Sequence, residues 1–271
     1  MSCKGIDLII YNERIFNPHI NLFIMKRSLV LLALVISISS LAQRKGDPAL
    51  TEVWQPEPRV VTPGPTAAGV PSDAIALFDG KDLSGWQKKM GGGAPEWKVA
   101  DDILTVVGGK GDIQTKEGFG SCQLHIEWRT PAVVAGNGQG RGNSGIFLMG
   151  RYELQILDNY NNRTYSNGQA ASIYKQHMPL VNACRPPGEW QTYDIVFTAP
   201  RFNTKDSSLI SPAYITVIHN GVLVQNHTAI WGGTEYIGVA EYKLHSDREP
   251  IILQDHGNPV SFRNIWIRKL D

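Results

Sequence analysis

Gly140–Asp158 reads GRGNSGIFLMGRYELQILD, and this stretch decides the fold. It gives two short strands, Asn143–Met149 and Tyr152–Leu157, joined by a tight turn at Gly150-Arg151. Side chains alternate between faces along a strand. Tyr152, Leu154 and Ile156 therefore point one way, and Glu153, Gln155 and Leu157 the other. Leu154 and Ile156 belong in a core, so Glu153 and Gln155 share the opposite face, with Asp158 at the strand end. One reading is an ordinary amphipathic strand with a polar outer face. The other is a carboxylate-lined cleft on the open face of a sheet.

On both sides of this pair, strand patterns recur at short spacing between Gly, Pro and Asp clusters. Ile103–Val107 follows a hairpin turn at Ala100-Asp101-Asp102, and Asp112–Thr115 reads as a short edge strand. Cys122–Arg129 alternates cleanly, with Cys122, Leu124, Ile126 and Trp128 on one face and Gln123, His125, Glu127 and Arg129 on the other. Ala170–Gln176 reads as a short strand. Trp190–Phe197, Ala213–His219 and Val222–Asn226 follow, the last two joined by Asn220-Gly221, a strong hairpin pair. Ile251–Gln254 and Ser261–Lys269 close the chain. No long amphipathic helix and no internal repeat is evident. Many short strands with frequent turns predict a single all-β sandwich over residues 73–271.

Ahead of that domain, Gln43–Ser72 is rich in Pro, Gly and Thr and reads as an extended tether, with Trp54 and Val60-Val61 available to pin it. Residues 1–42 read as a start placed too early plus an export signal. Met25-Lys26-Arg27 is a basic n-region, Ser28–Ile38 an apolar run, and Ser40-Leu41-Ala42 a cleavage site. On this reading translation starts at Met25 and cleavage follows Ala42. The apolar run is too short to span a bilayer. The mature protein is then periplasmic or secreted, with no membrane insertion. Cys122 and Cys184 remain, either as a disulfide or as two buried thiols. The formal net charge of +1 and the lack of a basic cluster exclude nucleic acid as a partner.

Three strands each place polar groups on one face. One carries His125, Glu127 and Arg129. The central pair carries Asn143, Glu153 and Gln155. The C-terminal segments carry Gln254, Asp255, His256 and Arg263. Lys175 and His245 lie between them. If these faces coincide, they form a polar groove suited to a carbohydrate, whose hydroxyls both donate and accept. Trp86, Trp231 and Tyr174 are candidates to stack on sugar rings. Paired carboxylates can cleave glycosidic bonds. The run Glu153-Leu154-Gln155-Ile156-Leu157-Asp158 resembles the carboxylate strand of laminarinase-type glucanases, but Gln155 replaces the middle acid. The histidines form no tight ligand motif, although His125 and Glu127, two apart on one strand, could share a divalent cation. GNGQGRG at Gly136–Gly142 lacks the following helix of a dinucleotide site.

Longer matches point further. They are Leu77–Trp86 (LFDGKDLSGW), Glu127-Trp128-Arg129, Arg141–Phe147, Tyr152–Asp158, Glu189–Asp194 (EWQTYD) and Arg263–Arg268 (RNIWIR). In these the chain resembles the 3-keto-disaccharide hydrolase domain family. The resemblance implies a concanavalin A-like jelly-roll sandwich of two antiparallel sheets, acting on glycosides oxidised at C3. A 3-ketone acidifies the hydrogen on C2. A base can remove it, and the glycosidic oxygen then leaves C1 by β-elimination, with or without rehydration. That chemistry needs a base, donors for the enolate oxygen and an acid for the leaving group. The expected catalytic residues are Glu127 or Glu153 as base and His256, or else His245, as acid. Arg141 and Lys175 would stabilise the enolate, with or without a cation. His125, Asn143, Gln155, Asp158, Lys175, His245, Gln254, Arg263 and Arg141 would line the substrate site. An upstream sugar 3-oxidoreductase is implied as supplier. The competing class is a non-catalytic, lectin-like carbohydrate-binding module. An enzyme should enclose Glu127, Glu153, Arg141 and Lys175 in one pocket, whereas a lectin should spread them along an open groove.

Overall fold

The computed structural model describes residues 46–270, so the expected start at Met25 and the export signal lie outside the described residues. The chain divides into two compact units between Arg59 and Val60. In the first, the described part holds one short 3-10 turn, Pro48–Thr51, capped by the Asp47 side chain, which accepts from the Ala49 amide at 3.1 Å.

The second unit is all β. In chain order its strands are β1 (Ile75–Phe78), β2 (Trp86–Lys88), β3 (Lys98–Ala100), β4 (Ile103–Thr105), β5 (Ile113–Phe119), β6 (Cys122–Arg129), β7 (Ser144–Leu148) and β8 (Tyr152–Ile156). They continue as β9 (Gln191–Thr198), β10 (Arg201–Phe202), β11 (Leu209–Ser211), β12 (Tyr214–His219), β13 (Val222–Ala229), β14 (Glu249–Leu253) and β15 (Ser261–Lys269). Two antiparallel sheets pack as a sandwich. The larger runs β13-β12-β9-β6-β15-β4-β3, with β1 also on β15, and the smaller runs β2-β5-β14-β7-β8. Strand β5 is therefore internal to its sheet rather than an edge.

Alternation explains the core. Cys122, Leu124, Ile126 and Trp128 of β6, Tyr193, Ile195 and Phe197 of β9, and Phe262, Ile265 and Ile267 of β15 are all buried. Facing them from the smaller sheet are Ile113, Ile146, Leu148, Tyr152, Leu154, Ile156, Ile251 and Leu253. Trp86 belongs to this core too, at 1 % exposure, and its Nε1 donates to the Leu77 carbonyl, so it cannot stack on a ligand.

The hairpins form where turn chemistry favours them. Asp101 and Asp102 have φ of 53° and 59°, and Asn220 and Gly221 have 52° and 83°, the left-handed pairs of tight hairpin turns. In the β7–β8 hairpin Leu148 pairs with Tyr152, so the turn is Met149–Arg151 rather than Gly150-Arg151 alone. Met149 and Gly150 carry the positive φ values there. Residues 170–177 form no regular strand. They instead cover the free edge of β8: the Gln155 amide donates to the Ser172 carbonyl, and the Ala171 and Tyr174 amides donate to the Gln155 and Glu153 carbonyls.

Residues 62–72 fold back on the domain. The Ala68 carbonyl accepts from Asn264 Nδ2 at 2.9 Å and from Trp266 Nε1 at 3.1 Å. Val60, expected to pin this stretch, is 93 % exposed. Cys184 is a free thiol, half-buried near the Leu157 carbonyl, so it is not bonded to Cys122.

Candidate active site

Glu153 and Gln155 project from β8 away from the core, into a cleft of about 420 Å³ on the outer face of the smaller sheet. Three stretches build it. From β7 and the residue before it come Asn143 and Phe147, on the same face as Glu153 by alternation. The end of β14 adds Gln254 and His256, and the loops after β8 and β13 add Tyr174, Thr234 and Tyr236.

Gly145 sits between Asn143 and Phe147 and pairs with Gln155 across the hairpin. A Cβ at Gly145 would lie 2.7 Å from Glu153 Oε1 and 3.2 Å from its Cγ. Glycine there leaves the room that the carboxyl group occupies.

Glu153 is 5 % exposed, and among the described residues its carboxyl has no ion pair and no hydrogen bond. Burial pushes its pKa up to about 8, and the nearby Asp112 charge adds to the effect. The strand itself is held, because the Glu153 amide donates to Thr234 Oγ1 at 3.0 Å. A buried carboxyl without a partner is costly for folding, and such groups concentrate where chemistry is done.

Beside it lie two more unsatisfied acceptors. Gln155 Nε2 donates to Asn143 Oδ1 and to Gln139 Oε1, each at 3.2 Å, which leaves its own Oε1 buried without a partner. Gln254 Oε1 is buried and unpartnered as well. Asn143 Nδ2 donates to the Gln139 carbonyl at 2.7 Å, so Gln139 fixes both amides from outside the cleft. Buried acceptors that lack protein donors suit a ligand that brings hydroxyls.

The rim is aromatic and cationic. Lys175 Nζ stands 4.5 Å from the Tyr165 ring centroid, 5.4 Å from that of Tyr236 and 5.9 Å from that of Tyr174. Lys175 has a φ of 63°, an uncommon conformation for a residue with a side chain. His256, which also lines the cleft, is exposed. Trp231 lies outside the cleft, edge-on to His177 at 4.5 Å.

The other expected site residues are elsewhere. His125, Glu127 and Arg263 lie on the outer face of the larger sheet, opposite to their core-facing neighbours Leu124, Ile126 and Phe262. Stacked sheets are ~10 Å apart, so outward carboxylates on opposite faces stand roughly 20 Å from each other. Glu127 therefore cannot share a site with Glu153. It accepts from Arg263 Nε at 2.6 Å and from Asn264 Nδ2 at 2.9 Å. Burial raises its pKa, but those hydrogen bonds and the Arg263 charge outweigh burial and leave it below the usual carboxylate value. His125 is stacked on Trp266, with Nδ1 2.7 Å from Asp194 Oδ1 and Nε2 3.3 Å from Asn264 Nδ2. Both ring nitrogens are engaged, so His125 and Glu127 are not disposed to share an ion. Among the described residues no group of three His, Cys, Asp or Glu side chains is set to hold a metal. This cluster anchors residues 62–72 through Asn264 and Trp266. Glu127→Gln is accordingly expected to lower stability by ~1–3 kcal/mol in a denaturant titration, with turnover within about twofold of the parent.

His245 is also removed from the cleft. Its Nε2 lies 2.7 Å from the Tyr152 hydroxyl, and its ring packs edge-on against Phe202. Arg141 and Asp158 form a buried ion pair at 2.7 Å in a neighbouring depression. Of the four residues expected in one pocket, the cleft thus holds Glu153, with Lys175 at its rim. Asn143, Gln155, Gln254 and His256 join it as expected. Phe147, Thr234 and Tyr236 are additional, while Gln139 and Asp112 act on the cleft from outside its lining. The sequence carried a signal for Phe147, which shares the β7 face with Gly145, but none for the loop residues.

Known proteins can now be compared with this geometry. A 3-keto-disaccharide hydrolase of Bacteroides thetaiotaomicron is 25% identical over 260 residues, covering 74% of this chain and 81% of its own length. A solved structure from Parabacteroides distasonis ATCC 8503, provisionally described as a glycosyl hydrolase, is 55% identical with a TM-score of 0.79. The match covers 83% of this chain and 97% of that one. A second structure from the same organism, 24% identical with a TM-score of 0.53, covers 73% of this chain and 99% of its own and shares the fold. The model of the 3-keto-alpha-glucoside-1,2-lyase-like domain matches residues 73–268. That span takes in both sheets and every residue of the cleft, and the chain belongs to the 3-keto-alpha-glucoside-1,2-lyase-like domain family.

Proposed function

We propose that the protein cleaves the glycosidic bond of 3-keto-glycosides, with Glu153 as the base that takes the proton from C2. The observation that carries this reading is the buried, unpartnered Glu153 carboxyl, its pKa pushed up to about 8. A base serves best when its pKa lies near the working pH, and burial moves Glu153 toward that range. Family membership supports the substrate class.

The steps balance as an elimination. Glu153 accepts the C2 proton, and the electron pair moves toward the C3 oxygen as an enolate. The pair then returns to form the C1–C2 double bond while the C1–O bond breaks, and the leaving oxygen takes that bond's electrons and a proton. Water added across the new double bond, hydroxyl to C1 and proton to C2, gives net hydrolysis. On this reading Gln254 Nε2, which no protein acceptor claims among the described residues, donates to the enolate oxygen. The unpaired Oε1 atoms of Gln155 and Gln254 accept from sugar hydroxyls. Tyr174 and Tyr236 offer ring faces to the sugar, and His256 at the rim supplies the leaving-group proton.

The substrate must come from an oxidoreductase acting at C3 of the sugar. We also propose that the protein is exported, on the pattern Met25–Ala42.

The pH dependence of kcat/KM tests the base. Glu153 must be ionised to act, so kcat/KM should rise tenfold per pH unit and level off above pH 8. At pH 6 it should be roughly 100-fold below the plateau. A half-point near pH 4–5 would contradict the assignment. Saturable binding of unoxidised sugars without turnover of any 3-keto-glycoside would favour the lectin-like reading.

A further inference from the structure

We infer that Tyr174 is a further catalytic residue, whose hydroxyl donates a hydrogen bond to the enolate oxygen, and that Tyr165 is the positioning residue that holds it. This rests on the proposed removal of the C2 proton by Glu153.

Position is the first argument. Tyr174 lines the same cleft as Glu153 and Gln254. Its amide donates to the Glu153 carbonyl at 3.1 Å. Chains hydrogen-bonded side by side run about 4.8 Å apart, so Tyr174 stands one chain spacing from the base. The ketone carbon is bonded to C2, and a donor for its oxygen belongs beside the group that takes the C2 proton. Such an oxygen accepts two hydrogen bonds, so Tyr174 can join Gln254 there.

The second argument is the way the hydroxyl is held. Tyr174 Oη lies 2.6 Å from Tyr165 Oη, its one hydrogen-bond partner among the described residues. With Tyr165 donating, the Tyr174 proton is left for the cleft. Tyr165 is itself closely seated. A Cβ at Gly168 would run into its ring, 2.6 Å from both Cδ2 and Cζ. The Gly168 carbonyl accepts from Gln139 Nε2 at 2.8 Å, and the Asn167 carbonyl accepts from the Lys175 amide at 2.8 Å. A glycine that makes room for the ring, in a turn tied at two carbonyls, thus fixes a hydroxyl that meets Tyr174. A tyrosine used only to stack its ring on a sugar needs none of this.

The third argument is charge. Lys175 Nζ stands 4.5 Å from the Tyr165 ring centroid and 5.9 Å from that of Tyr174. A cation held against a phenol ring draws density from the hydroxyl and strengthens it as a donor. Burial holds both hydroxyls above the ordinary tyrosine pKa, and the Glu153 charge adds to this in each. Both therefore stay protonated near neutral pH. A hydroxyl that keeps its proton so firmly is a hydrogen-bond donor and a poor proton source for the leaving group. No bond of Tyr174 breaks in this step: negative charge develops on the C3 oxygen while the proton stays on Tyr174.

The test follows a methyl 3-keto-glucoside in deuterated water by proton NMR, reading loss of the C2 proton and release of methanol separately. Tyr174→Phe keeps the ring and removes the hydroxyl. It is expected to lower kcat by about 10²–10³-fold, the usual effect of deleting one oxyanion donor, with KM changed by no more than about threefold. Proton loss and methanol release should fall together. Tyr165→Phe should lower both by roughly tenfold, the effect of one hydrogen bond. The double variant should be no slower than Tyr174→Phe, because Tyr165 acts through Tyr174. Tyr165→Phe also reads the effect if Tyr174→Phe does not fold. A Tyr174→Phe rate within about twofold of wild type, or a change confined to KM, would overturn the inference. So would loss of the C2 proton that outpaces methanol release, which would make Tyr174 the leaving-group acid. Tyr165→Phe at the wild-type rate, or a double variant slower than Tyr174→Phe, would overturn the part assigned to Tyr165. Wild-type release of methanol with the C2 hydrogen retained would instead refute the Glu153 chemistry beneath it.

Discussion

Glu153→Gln is expected to lower turnover of a 3-keto-glucoside by about 10²–10⁴-fold, the usual contribution of a positioned base. KM should change little. Glutamine keeps the shape of the side chain and its place beside Gly145, and it removes only the capacity to accept a proton from carbon. The residual rate should lose its dependence on pH near 8. The predicted contrast with Glu127 is the sharpest in the molecule. Both glutamates are buried, at 5 % and 8 % exposure, but Glu127 spends its oxygens on Arg263 and Asn264. A carboxylate held low by a guanidinium is a poor base, so the same substitution there should cost stability and leave chemistry intact.

The same carboxyl should also make the protein less stable as pH rises. Its folded pKa of about 8 lies above an unfolded value near 4.5. Between these values the folded state binds more protons than the unfolded one, so stability falls with rising pH across that window and levels off above pH 8. At about 1.36 kcal/mol per pKa unit the full loss is on the order of 5 kcal/mol. Glutamine does not titrate. Glu153→Gln should therefore gain on the parent as pH rises from 5 to 9, by roughly 10 °C in Tm for a domain of this size. Other titrating groups are common to both proteins and cancel in the difference. Thermal melts across this range check it, and a Tm difference independent of pH would show that the Glu153 pKa is not raised by folding. On the proposed assignment the two effects have one origin: a carboxyl left unpaired to act as base also destabilises the fold at working pH.

Alternation along β8 was enough to place Glu153 and Gln155 together, because a period of two separates faces without ambiguity. The same logic put His125 and Glu127 on one face of β6, and that also holds. What alternation does not carry is which sheet a strand joins. Strands β6 and β8 both turn acidic residues outward, yet from different layers of the sandwich, and the site shared by Glu127 and Glu153 dissolves on that point. Arg263 follows Glu127 because β15 pairs with β6. Gln254 and His256 follow Glu153 because β14 pairs with β7. Loop residues were harder still. Thr234 and Tyr236 lie in stretches without periodicity and reach the cleft only through tertiary contacts, as Gln139 reaches the amides of Asn143 and Gln155 behind it. Ala170–Gln176 looked like a strand, and residues there do bond to the edge of β8, but turns at Ala171 and Lys175 keep them from running along it.

The central claim is that Glu153 removes the C2 proton, and proton NMR in deuterated water tests it most directly. The wild-type protein and Glu153→Gln are each incubated with a methyl 3-keto-glucoside. Wild type should release methanol and give either a 1,2-unsaturated 3-keto sugar or 3-keto-glucose carrying deuterium at C2, and Glu153→Gln should do neither at a comparable rate. Release of methanol by wild type with the original hydrogen retained at C2, or unimpaired exchange in Glu153→Gln, would contradict the account.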